Sequence, residues 1–191
     1  CFEACRDGHL NNVFVEGEWG ICKTSLLDKI RPEFEEHGPV VKTDLVASGD
    51  QFREFVIVIF QELLEPAGCS PEDLDVHSRW DRHAIRRSLE VLWNGLAARG
   101  HQTVVVTADN LERAQPQFVT DVRDIFQHVG GQGARFMLVF AGRGLPVPRI
   151  SASDPSARFF YRDGYGKRGC EVIAQHTNLL IRDSIDDSCV A

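Results

Sequence analysis

The stretch Val13-Phe14-Val15-Glu16-Gly17-Glu18-Trp19-Gly20-Ile21-Cys22-Lys23-Thr24-Ser25-Leu26-Leu27 joins three local patterns. Val13 to Val15 is a short run of β-branched and aromatic residues. Gly17 to Gly20 carries two glycines, and Leu26, Leu27 and Ile30 fall at helical spacing. The stretch therefore reads as strand, loop, helix. The helix is expected to end near the breaker pair Gly38-Pro39, and Val40 to Leu45 reads as a second strand, completing a β-α-β unit.

A loop between a strand and a helix can bind phosphate when backbone N–H groups converge at the helix N-terminus, a lysine reaches the β- and γ-phosphates and a hydroxyl ligates Mg²⁺. Gly17, Glu18, Trp19, Gly20, Ile21, Cys22, Lys23 and Thr24 have that layout, and Ser25 continues into the helix. The pattern G-x-x-x-x-G-K-[ST] is broken at Cys22, where it calls for glycine. A Cβ there crowds a backbone that must approach phosphate oxygens and penalises a left-handed φ. Weakened binding or an oxidation-sensitive loop would follow. The plain alternative is an ordinary strand-to-helix turn with an incidental Lys-Thr.

Further along, Phe52, Phe55, Val56, Ile59, Phe60, Leu63 and Leu64 form an amphipathic helical stripe, with Asp50 as a suitable N-cap. A polar connector, Glu65 to Asp81, leads to a second stripe of Ile85, Leu89, Leu92, Trp93 and Leu96. Phe118, Val122, Ile125, Phe126 and Val129 make a third. Thr103 to Ala108 is a continuous β-branched run and Phe136 to Ala141 a fully apolar one, the pattern of strands covered on both faces of a parallel sheet. Strands alternating with helices argue for an α/β sandwich. Residues 1–150 read as its core. Residues 151–191 are poorly defined, with Arg158 to Tyr161 a candidate strand and Cys170 to Arg182 a candidate helix.

Asp109 ends the third strand, where an acid can hold Mg²⁺ directly or through water. The next residue is Asn110, which cannot take up a proton; Glu112 lies close by. Gly142-Arg143-Gly144 follows the next strand, so Arg143 belongs at the same carboxyl edge, where open α/β sheets bind ligands. It reads either as a γ-phosphate contact or as a solvated loop arginine.

The remaining features are plain. An apolar share of 43% and a charged share of 26% are those of a globular protein. The net charge of −7 gives no reason to expect nucleic acid or anionic lipid. The apolar run Phe55 to Phe60, unexceeded in the chain, is far short of a membrane span, and no signal-peptide pattern opens the chain, so a cytoplasmic location is expected. The six cysteines lack metal-ligand or disulfide spacing. Cys1 in place of Met suggests a fragment of a longer protein. Trp80 and Trp93 read as core, Arg82 to Arg87 as a polar helix face. The histidines show no ligand spacing, and no nucleophile elbow of the type GxSxG is present.

Taken together, Val13 to Leu27, the strand ending in Asp109-Asn110, and Leu138-Val139-Phe140-Ala141-Gly142-Arg143-Gly144-Leu145-Pro146 resemble the ATP-binding domain of AAA/STAND-type P-loop ATPases. The resemblance runs from about Asn12 to Pro146. It implies a three-layer P-loop NTPase sandwich with a central, mainly parallel sheet of about five strands, the Walker A strand flanked by the Walker B and sensor strands. It implies ATP and Mg²⁺ as ligands, Lys23 and Thr24 as the Walker A lysine and hydroxyl, and Asp109 as the Walker B aspartate. Asn110 stands where the family commonly has a catalytic Glu. The function expected is a regulatory nucleotide switch with slow hydrolysis and a protein partner or self-association. The alternative is a degenerate fold acting as an interaction scaffold without nucleotide.

Overall fold

The computed structural model describes residues 11–16, 23–45, 49–143 and 157–162, with side chains described in the first strand only at Val13 and Val15 and in the last strand not at all. The elements are β1 (Asn11–Glu16), α1 (Lys23–Glu35), β2 (Val40–Asp44), α2 (Gln51–Ala67), α3 (Arg82–Ala98), β3 (Val104–Asp109), α4 (Pro116–Gly131), β4 (Phe136–Gly142) and β5 (Ala157–Arg162). Three short 3-10 turns, Pro71–Asp73, Asp75–His77 and Leu111–Arg113, lie between them.

The strands form one sheet in the order β2-β3-β4-β1-β5, and every neighbouring pair is parallel. One expectation is corrected here. β1 does not lie beside β3, because β4 separates them, pairing Val139 with Val13 on one side and Met137 with Val105 on the other. Burial explains the placement. β3 and β4 are buried at every position, as interior strands require, whereas β2 exposes Lys42 and Asp44 in the alternation of an edge strand. β5 follows the limit drawn at residue 150 and pairs with β1. The candidate helix Cys170 to Arg182 lies outside the described residues.

Helix boundaries follow from caps. The Asp50 carboxylate accepts a hydrogen bond from Arg53 N at 3.0 Å to open α2. Gly68, at φ 62°, closes it: the Gly68 and Cys69 N–H groups return to the carbonyls of Glu65 and Leu64. Asp81 accepts from Ala84 N at 2.9 Å to open α3, and Pro116 stands at the first turn of α4.

The two faces of the sheet are covered unequally. On one, among the described residues, α1 packs Leu27 and Ile30 against Val15, Val105, Met137, Val139 and Ala141. On the other, α2, α3 and α4 bury a continuous core, with Ile59, Leu63, Leu89, Leu92, Leu96 and Ile125 each fully out of water. Edge-to-face ring pairs, Phe55 with Phe118 and Phe126 with Phe136, fill its centre. Gly95 lets α3 approach α2 closely, since a Cβ there would stand 2.5 Å from the Ala67 carbonyl oxygen. Trp80 and Trp93 are half-buried at its rim, and the Arg53 guanidinium lies over the Trp80 ring.

Candidate functional site

Because β1 and β2 are parallel, α1 must run back across the sheet between them, so its N-terminus stands over the carboxyl edge of the strands. Lys23 and Thr24 open that helix, and Asp109 ends β3 at the same edge. The Thr24 hydroxyl donates a hydrogen bond to Asp109 Oδ2 across 85 residues of sequence. The structure thus brings together the two residues read from sequence as Mg²⁺ ligands. Lys23 is half-buried at the helix start, and Ser25 is exposed. Gly17, Glu18, Trp19, Gly20, Ile21 and Cys22 lie outside the described residues.

Asp109 is 9% exposed, and its second oxygen, Oδ1, accepts from Asn110 N at 2.8 Å. Asn110 turns the chain with φ 59°, a left-handed conformation in which Asn is strongly favoured over longer side chains. The backbone therefore gives a reason for a short side chain here in place of the expected Glu. Its Nδ2 donates to Asp44 Oδ1 at 2.6 Å, linking the tips of β3 and β2. Glu112 accepts from the backbone N of Arg143 at 3.1 Å, so the turn after β3 also holds the exposed turn after β4.

Two residues of this edge were not singled out by sequence reasoning, Asp44 and Gln51. Gln51 is 4% exposed at the start of α2; its Nε2 donates to the Arg113 carbonyl and its Oε1 accepts from Gln115 N, both at 2.8 Å. It fastens the segment that follows Asp109 to the helical core. A polar residue beside an N-cap carries no sequence mark of such a role. Asp44 ends β2 in register with Asp109, a pairing that only the fold reveals.

The donor set suits Mg²⁺. A hydroxyl and a carboxylate are hard oxygen ligands, and Mg²⁺ takes one or two such groups while keeping waters and phosphate oxygens around it. Among the described residues no group of three or more His, Cys, Asp or Glu is placed to hold a metal by itself. A cleft of about 120 Å³ at the end of β2, lined by Thr43, Asp44, Gln51, Glu54 and Phe55 among others, is too small for a nucleotide. Backbone N–H donors from Ala84 and Ser70 hold the carboxyls of Asp81 and Asp73 below the usual range.

No protein-family model matches the chain. Solved structures do: a chain from a structure of Drosophila ORC bound to DNA aligns with TM-score 0.50 and 14% identity, covering 82% of each chain. A chain from a structure of Drosophila ORC bound to AT-rich DNA and Cdc6 aligns with TM-score 0.52 and 15% identity, over 82% of this chain and 49% of that one. The fold is one shared with ORC. In sequence, the chain is 30% identical over 128 residues to the chromosomal replication initiator protein DnaA of Mycoplasma pneumoniae, 60% of this chain and 29% of that protein's length. The chain thus spans under a third of that relative. No described helix is long and apolar enough to cross a membrane.

Proposed function

We propose that this chain binds ATP with Mg²⁺ at the carboxyl edge of its sheet and serves as a nucleotide switch with slow hydrolysis, in the manner of AAA+ and STAND P-loop ATPases. The observation that carries this reading is the contact of Thr24 with Asp109 beneath the N-terminus of α1. A hydroxyl from the start of the helix and a carboxylate from a strand tip meet where neither has a role in core packing. The likenesses to DnaA and ORC chains support the same reading. Lys23 would reach the β- and γ-phosphates, and Thr24 and Asp109 would hold Mg²⁺, which neutralises charge on the phosphate oxygens when bound. Arg143, the residue after β4, would answer the state of the γ-phosphate.

A switch needs a partner to signal to. A protein or a second copy of the chain is one class; DNA is another, because both matched ORC structures contain it, and the net charge of −7 does not remove it. The competing reading is a scaffold that binds no nucleotide, favoured by Cys22 in place of a loop glycine and Asn110 in place of an acid. Calorimetric titration of ATP separates the two under reducing conditions, with and without Mg²⁺. A switch shows Mg²⁺-dependent binding that Lys23→Ala abolishes and Cys22→Gly tightens. A scaffold shows none in any variant that is folded.

A further inference from the structure

The residue after Asp109 has no carboxylate with which to accept a proton from an attacking water, yet the structure sets one against it. Asp44 lies in register with Asp109 on the neighbouring strand, and residues paired across parallel strands share a face of the sheet. That face is the one under α1, since Val105 packs beneath this helix with Val40 beside it, while Val41, Leu45, Val104, Val106 and Ala108 belong to the opposite core.

The level along the sheet also agrees. Lys42 Nζ pairs with Asp28 Oδ1 of α1 at 2.6 Å. Asp44 is two strand residues beyond Lys42, about 6.6 Å toward the carboxyl edge. Thr24 is four helix residues before Asp28, about 6 Å toward the same edge, because the helix runs against the strands. Thr24, Asp109 and Asp44 therefore stand at one level. Hydrogen bonds join them through Asn110: Thr24 donates to Asp109, Asn110 N donates to Asp109, and Asn110 Nδ2 donates to Asp44. Asp44 is exposed. Glu112, another acid of this edge, accepts the backbone N–H of Arg143 instead.

We propose that Asp44 supplies the catalytic carboxylate missing at Asn110, with the Asn110 amide holding it in place. The inference rests on ATP being the ligand of this edge. The oxygen of a water forms the new bond to the γ-phosphorus. The bond from that phosphorus to the β-γ bridging oxygen breaks, its electron pair leaving with ADP, and the proton of the water passes to Asp44 and on to solvent.

The test measures Mg²⁺-ATP affinity and phosphate release in the parent chain, Asp44→Asn, Glu112→Gln and the double swap Asp44→Asn with Asn110→Asp. The amide at 44 can still accept from Asn110, so a purely structural role leaves turnover unchanged. Expected is a loss of about 10²-fold in phosphate release for Asp44→Asn, with affinity within about twofold, little change for Glu112→Gln, and partial recovery in the swap. Parental turnover in Asp44→Asn, loss in Glu112→Gln alone, or ATP binding with no phosphate release by the parent overturns this inference while leaving nucleotide binding intact. Absence of binding in the folded parent overturns both. Should Asp44→Asn fail to fold, the swap decides: a folded swap without turnover contradicts the proposal.

Discussion

The two faces of the sheet do different work. The face covered by α2, α3 and α4 is a closed apolar core whose members touch one another across helices and strands. Among the described residues the face under α1 is thinner, held by a handful of side chains, and at its carboxyl edge it gives way to Thr24, Asp109, Asn110 and Asp44. Hydrophobic burial scales with apolar area, so stability resides on the thick face. Polar groups aimed at a single edge add little to it and can be given over to a ligand. Substitutions on the first face should therefore cost folding, and those at the edge should cost binding.

The largest effect expected is in the thick core. Leu92→Ala, at a side chain fully removed from water, should lower unfolding free energy by about 2–5 kcal/mol in urea denaturation. A loss under about 1 kcal/mol would break the comparison. Gln51→Ala tests the seam between the faces. It removes partners from the Arg113 carbonyl and the Gln115 N–H, and should cost about 1–3 kcal/mol. Asp50→Ala, which deletes the cap of α2, should cost about 1 kcal/mol.

The smallest expected effect is one of pH. Asp81 holds its carboxyl below the ordinary range chiefly through the Ala84 N–H. A lowered folded pKa means that its stabilising contribution is complete above the ordinary carboxylate range and is lost as pH falls through the folded value. Melting temperature on acidification should thus fall less steeply in Asp81→Asn than in the parent; equal slopes would remove Asp81 from the acid response.

Much of the thick face was legible in the sequence. The stripes Phe52 to Leu64, Ile85 to Leu96 and Phe118 to Val129 repeat at three and four residues, and the cap Asp50 stands where α2 begins. The runs Val104 to Ala108 and Phe136 to Ala141 read as buried strands. Strand order was not legible, because two interior strands with equally apolar faces carry no mark of which lies beside β1. At the edge, Lys23, Thr24 and Asp109 were visible through spacing and context. Asp44 and Gln51 were not, since their roles depend on hydrogen bonds spanning more than 60 residues. The left-handed turn that makes Asn110 suitable likewise has no signature outside the fold.

The most direct test of the division between scaffold and edge is the melting temperature of the reduced chain with ATP, measured with and without Mg²⁺, beside Lys23→Ala. Ligand at a hundred times its dissociation constant stabilises a fold by about 2.7 kcal/mol, which in a domain of this size raises Tm by roughly 5–10 °C. The expected result is such a rise in the parent with Mg²⁺, and none in Lys23→Ala, whose melting without ligand matches the parent's. An unchanged Tm in the folded parent at millimolar Mg²⁺-ATP, or the same rise in Lys23→Ala, would contradict a nucleotide site at this edge.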